Sequence, residues 1–196
     1  MIDSFELGSE FFEGLMAIDV TIVEQASQQP CPHCGGPLYR GDYPRKPRGG
    51  QIATSAEGWM RRFSLCCGSE GCRRRATPPS VRFLGRRVYV GAVVIVAAAV
   101  SWMMATASAA VRATGVPSRT TRRWLRWWRD SFPSTRPLVE LSARLIPPID
   151  RRQLPASLLE RLAGDRPAAV SKLLSWMAPI STRSWLPDSS FVRAEM

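Results

Sequence analysis

Five cysteines stand in two groups, Cys31-Pro32-His33-Cys34-Gly35-Gly36 and Cys66-Cys67-Gly68-Ser69-Glu70-Gly71-Cys72. A Cys-x-x-Cys with glycine behind it turns the backbone tightly enough for two thiolates to face one ion. A second pair brought against it closes a tetrahedral thiolate site, which predicts one structural Zn2+ and leaves no open position for chemistry. An odd number of cysteines also suits thiolates in a reducing compartment better than a disulfide scaffold. Cys31 and Cys34 supply the first half, and Cys72 belongs to the second. Residues 61–67 (RRFSLCC) read as a strand, so Cys66 and Cys67 point to opposite faces and one of them reaches the metal. Cys67, which closes the shorter loop to Cys72, is the expected fourth ligand, with Cys66 as the alternative. His33, the only histidine, reads as a knuckle-loop residue. About 31 residues separate the two groups, and the excess falls at Gly49–Gly58, where a loop is inserted at little entropic cost.

Arginine supplies the second chemistry. Residues 107–132 read ASAAVRATGVPSRTTRRWLRWWRDSF: a small-residue helix, a turn at Gly115-Val116, and a new helix opening at Pro117 or Ser118. At 100° per residue Thr121, Trp124, Leu125, Trp128 and Phe132 share one face, and Arg119, Arg122, Arg123 and Arg126 share the other. That division is what a helix-turn-helix recognition helix needs, one side packed and the other offering guanidinium forks to guanine edges and phosphates. Two further basic segments flank the cysteines, one with Arg45, Lys46 and Arg48, the other with Arg73, Arg74 and Arg75. Prolines hold both extended, so their cations can track a phosphate backbone.

The charge balance points the same way. The net charge is +11, and residues 40–90 hold twelve bases against three acids. Residues 112–136 hold seven bases against Asp130, whereas residues 1–30 hold six acids and no base. Concentrated positive charge favours a polyanion through counterion release, so double-stranded DNA is the expected partner.

These motifs require a mainly α chain with a small β zinc-ribbon. Residues 1–30 form an acidic N-terminal helix, amphipathic over 5–28 through Phe12, Leu15, Met16, Ile22 and Val23. Residues 31–87, rich in Gly, Pro, Cys and Arg, form the zinc-ribbon module. Residues 88–135 form the helix-turn-helix domain, helical over 88–132 with one break at 114–117. Residues 136–196 form short helices near 138–146, 158–163 and 167–177, followed by an irregular tail from Pro179.

On the CPHCGG knuckle, the CC…C cluster followed by RRRATPPS, and the TGVPSRTTRRW turn, the chain resembles small zinc-ribbon plus helix-turn-helix proteins of bacterial insertion elements and transposases. The resemblance spans residues 31–130 and implies sequence-specific recognition of element DNA. It points to an accessory role in transposition and DNA recombination or to transcription regulation, with a recombinase partner docked on the acidic helix.

An enzyme is not expected. A tyrosine recombinase or a relaxase needs histidines that one His33 does not supply, and a two-metal nuclease needs converging carboxylates. Six of the sixteen acids lie in the N-terminal segment and the rest are scattered. A catalytic transposase or recombinase subunit is the alternative reading. The opening MIDSFELGSEFFEGL lacks the basic and apolar regions of a secretion signal, which predicts a cytoplasmic, nucleoid-associated protein. A run of 24 uncharged residues, 88–111, is long enough to span a bilayer and offers a membrane-anchored regulator as a further alternative.

Overall fold

The computed structural model describes residues 7–49, 58–85, 88–104 and 106–182. Helix α1 (Ser9–Ser27) lies within the expected amphipathic segment, burying Phe12, Leu15, Val23 and Ala26 while Glu10, Glu13 and Glu24 face water. Asp3 and Glu6 of the acidic head lie outside the described residues. One acid does not behave as expected: Asp19 is buried at 2% exposure, in the middle of the apolar stripe.

Between the cysteine groups the chain makes short strands. β1 (Leu38–Arg40), β4 (Leu65–Cys67) and β5 (Arg75–Ala76) form an antiparallel sheet in the order β1-β4-β5, pairing Leu38 with Cys67 and Leu65 with Ala76. β2 (Tyr43–Pro44) pairs with β3 (Arg61–Arg62). The expected loop insertion at 50–57 lies outside the described residues. Six residues of this sheet region (Cys31, Leu38, Phe63, Leu65, Cys67 and Ala76) join Val23 and Ala26 of α1 in a small core of their own. A core this small leaves β1–β5 short of apolar burial, which is where a metal contributes most.

β6 (Phe83–Leu84) and β7 (Tyr89–Val90) pair across residue 87, the limit expected for the cysteine-bearing module. Helix α2 (Gly91–Met103) follows, and its residues from Gly91 to Ser101 are all buried. Helices α3 (Ala107–Thr114) and α4 (Ser118–Asp130) pack on α2 and on each other. The single break expected over 88–132 is thus corrected: besides Gly115–Pro117, the chain leaves the helix between Met103 and Ala107, and β7 precedes α2. The cause is packing. α2 is apolar all round and must be enclosed, so the chain turns back to lay α3 against it, and no glycine or proline signals that turn. The uncharged run is therefore a strand and two helices, and among the described residues no helix is long and apolar enough to cross a membrane.

The C-terminal helices complete the enclosure. α5 (Arg136–Ser142), α6 (Ala156–Leu159) and α7 (Arg166–Met177) occur near the expected places, and the Asp165 carboxylate caps α7 by accepting from Ala168 N–H at 2.9 Å. Leu173, Leu174 and Met177 of α7 share one core with Phe12, Leu15, Trp59, α2, Trp124 and Trp128. Most of the tail expected to be irregular, from residue 183 on, lies outside the described residues. α1 thus contributes to both cores, its first half to the helical one and its second half to the sheet.

The turn before α4 rests on Gly115, whose φ of +67° lies in the left-handed region, with nothing within 4 Å of where a side chain would begin. Gly115→Ala is therefore expected to cost about 1–2 kcal/mol from backbone strain alone, measured by urea unfolding. An unchanged midpoint would show that the turn does not need this conformation.

Candidate metal centre and nucleic-acid interface

The first cysteine pair is shaped by its own backbone. Gly35 N–H donates to Cys31 C=O, and Cys31 N–H donates to Gly36 C=O, both at 2.8 Å, so the chain curls around the sulfurs. The second group curls likewise, with Cys72 N–H donating to Ser69 C=O at 3.0 Å. The two knuckles meet closely: a side chain at Gly36 would lie 2.0 Å from Ser69 Oγ and 3.3 Å from Cys67 Sγ.

The sulfurs of Cys31, Cys34, Cys67 and Cys72 all lie within 4.8 Å of one another. Cys34 and Cys67 are 3.4 Å apart and Cys31 and Cys72 are 4.0 Å apart, with no disulfide among them. Tetrahedral coordination at about 2.3 Å per metal–sulfur bond requires sulfur separations of about 3.8 Å. Four thiolates at these distances can hold one metal ion. The charge problem they pose is visible in the thiols themselves. Ser69 N–H, donating to Sγ at 3.4 Å, leads in lowering the Cys67 pKa to about 6. At Cys72 the Arg74 N–H pulls down, but burial and the three neighbouring sulfurs outweigh it and raise the thiol to about 11. Clustered thiolates repel one another, and a cation at their centre reverses the sign of that interaction.

Of the two candidate ligands in β4, the structure brings Cys67 into the group. Leu65 and Cys67 point inward, while Cys66 is half-buried on the other face against Gly41. His33 is exposed and stands apart from the four sulfurs.

The arginines of α4 divide as the helical period requires. Thr121, Trp124 and Trp128 are buried beneath them, Val116 fills the turn at 1% exposure, and Arg119, Arg122, Arg123 and Arg126 are exposed. Arg123 differs from the other three because it donates to Tyr89 Oη and lies 5.4 Å over the Tyr89 ring. Lys46, Arg48, Arg73 and Arg74 are exposed. Arg45 and Arg75 both lie over the Tyr43 ring, at 5.0 and 4.8 Å, and Arg75 donates to Ser64 Oγ at 2.9 Å. These stacked guanidiniums are held in place while remaining open to solvent.

Two arginines of the basic block are not at the surface. Arg62 is buried, donates to Pro78 C=O at 2.7 Å, and has its pKa lowered by burial. Arg82 is fully buried and paired with Asp19 at 2.8 Å. The Asp19 carboxylate also accepts from Ser80 Oγ at 2.5 Å and Val81 N–H at 2.7 Å, joining α1 to the segment before β6. The sequence reading missed this pair. Its signal was an acid at the position where the spacing of Leu15 and Val23 calls for an apolar residue.

No family model, curated protein or solved structure matches the chain.

Proposed function

We propose that the protein is a zinc-dependent, sequence-specific binder of double-stranded DNA, in which α3 and α4 act as a helix-turn-helix and β1–β5 with the four cysteines act as a zinc ribbon. The observation that carries this reading is α4 itself. One face is buried on Thr121, Trp124 and Trp128, the opposite face presents four exposed arginines, and a left-handed glycine turn sets the helix against α3. Zinc is the metal proposed because a closed set of four thiolates suits it and offers no site for substrate. The role is that of a non-catalytic module, accessory to transposition or recombination or a transcription regulator. A recombinase partner has the exposed carboxylates of Glu10, Glu13 and Glu24 on α1 to recognise, since the apolar face of that helix is taken up by the two cores.

The test is selection of a preferred duplex from a random library by the full chain, followed by binding of variants to that duplex and to a scrambled one. Arg122→Ala and Arg126→Ala are expected to lose about 1–3 kcal/mol on the preferred duplex and little on the scrambled one. Trp124→Ala and Trp128→Ala should instead lose stability, because those rings are packed inward. Equal losses on both duplexes for every arginine would reduce α4 to a charged face and remove the support for sequence reading.

A further inference from the structure

The segment carrying Lys46 and Arg48 is not separate from α4. Arg48 forms an isolated parallel bridge with Tyr89, its N–H donating to Val88 C=O and its C=O accepting from Val90 N–H, both at 2.9 Å. This fastens the segment beside β7 and opposite the start of α4. Here lies a cleft of about 290 Å³, lined by Arg48 and Gly49 from the segment, by Tyr89 of β7, and by Pro117, Thr120 and Arg123 from α4 and the turn before it.

Its electrostatics are one-sided. Among the described residues no carboxylate lines the cleft and Arg48 has no side-chain partner, and α4 begins at the rim without a side-chain cap. Arg123 is aimed rather than free. Its guanidinium is bonded to Tyr89 Oη, and the Tyr89 ring is in turn packed edge-on against the buried Trp124 at 5.3 Å. Two guanidiniums lining one cleft repel each other until an anion enters between them, and the positive end of a helix adds to the attraction. The fork geometry of arginine suits the oxygens of a phosphate.

We infer that this cleft grips a single backbone phosphate of duplex DNA, with Arg48 and Arg123 as its two jaws. The inference rests on the DNA-binding reading above and refines it. Arg123 is a phosphate anchor that sets the start of α4 against the duplex, and Arg119, Arg122 and Arg126 are left to face the groove. Phosphate contacts fix register, whereas base contacts specify sequence, so the two kinds of arginine separate experimentally.

The experiment measures duplex affinity of the full chain across a salt series for the parent protein, Arg48→Ala, Arg123→Ala and the double variant, with circular dichroism confirming that each is folded. One neutralised phosphate contributes about 0.9 to the slope of log affinity against log salt. If the phosphate is held only while both arginines close on it, each single variant lowers the slope by about 0.9 and the double variant lowers it no further. Arg122→Ala serves as the reference, losing its preference between preferred and scrambled duplexes. A double variant whose slope falls by twice the single value would place the two arginines on different phosphates and overturn the clamp. Unchanged slopes in the single variants would overturn it as well. In both cases continued duplex binding that depends on Arg122 would leave the DNA-binding reading standing, whereas a parent protein that binds no duplex ends both. A titration with inorganic phosphate at constant ionic strength separates the two sources of the group. Saturable binding that Arg48→Ala abolishes, without any effect of that variant on duplex affinity, would assign the cleft to a free anion and overturn the backbone clamp.

Discussion

Cys67→Ser is expected to abolish metal binding and unfold the sheet region between residues 31 and 85, while Cys66→Ser leaves both in place. The two cysteines are adjacent in β4, yet only Cys67 joins the sulfurs of Cys31, Cys34 and Cys72, and Cys66 faces away toward Gly41. The apolar core under the sheet is small, so the free energy of metal binding becomes the free energy of folding there. Structural zinc in small domains supplies about 10–16 kcal/mol at neutral pH. Removing one thiolate also leaves three others clustered around a position that no longer binds a cation. Metal analysis of the purified protein, with limited proteolysis before and after chelation, makes the comparison. The parent should carry one zinc per chain and lose protection of residues 31–85 when it is chelated. Equal metal content in the parent and Cys67→Ser proteins would remove Cys67 from the site.

Asp19→Ala is expected to cost about 3–5 kcal/mol, the penalty of leaving a buried charge without its partner. Arg82 is fully buried, and among the described residues its partners besides the Asp19 carboxylate are neutral, Trp59 C=O at 2.9 Å, Arg61 C=O at 3.1 Å, and the rings of Phe63, Phe83 and Trp59 at 4.3–5.6 Å, while the buried Arg62 guanidinium nearby adds a like charge that Asp19 also offsets. The same substitution leaves the Ser80 O–H and the Val81 N–H without their acceptor, although Ser80 Oγ still accepts from Phe83 N–H. Asp19→Asn keeps the shape and should fall between. The double variant Asp19→Leu/Arg82→Met removes both charges together and should recover most of the loss, because apolar replacement of a buried pair is often neutral. Urea unfolding of the four proteins checks the series. A loss of under about 1 kcal/mol in Asp19→Ala would show that Arg82 finds another way to be solvated.

Much of the fold and of the candidate site was legible in the sequence where the signal is local. Two cysteines with glycine behind them dictate a knuckle within six residues, and alternation along RRFSLCC separates Cys66 from Cys67. Gly115 sits where the helix must reverse, and the period of TTRRWLRWW separates tryptophan from arginine. What escaped was long-range. Arg82 stands in a run of basic residues whose other members are mostly solvated, and nothing within a few residues marks it as interior; its partner lies 63 positions earlier. The bend after Met103 follows from enclosure by α3 and α7, not from any residue at the bend. The bridge between Arg48 and Tyr89 pairs single residues, too short to leave a period, yet it joins two basic segments that read as separate.

Helix α2 carries a further consequence, for the order in which the chain acquires its structure. A helix apolar on every side has no stable surface of its own in water, and from Gly91 to Ser101 none of its residues is exposed. Its lining comes from both directions along the chain, from α1 and the segment before β6 on one side and from α6 and α7 on the other. During synthesis from the N-terminus, α2, α3 and α4 leave the ribosome before α7 exists, so the growing chain carries an apolar rod still open on the side that α6 and α7 will cover. Folding of this region is thereby postponed until residues near Met177 have emerged, and the interval before then is the one in which the nascent chain is most exposed to self-association. Once α7 docks, amide exchange along α2 should be among the slowest in the molecule, since opening it requires the helical core to come apart as a unit.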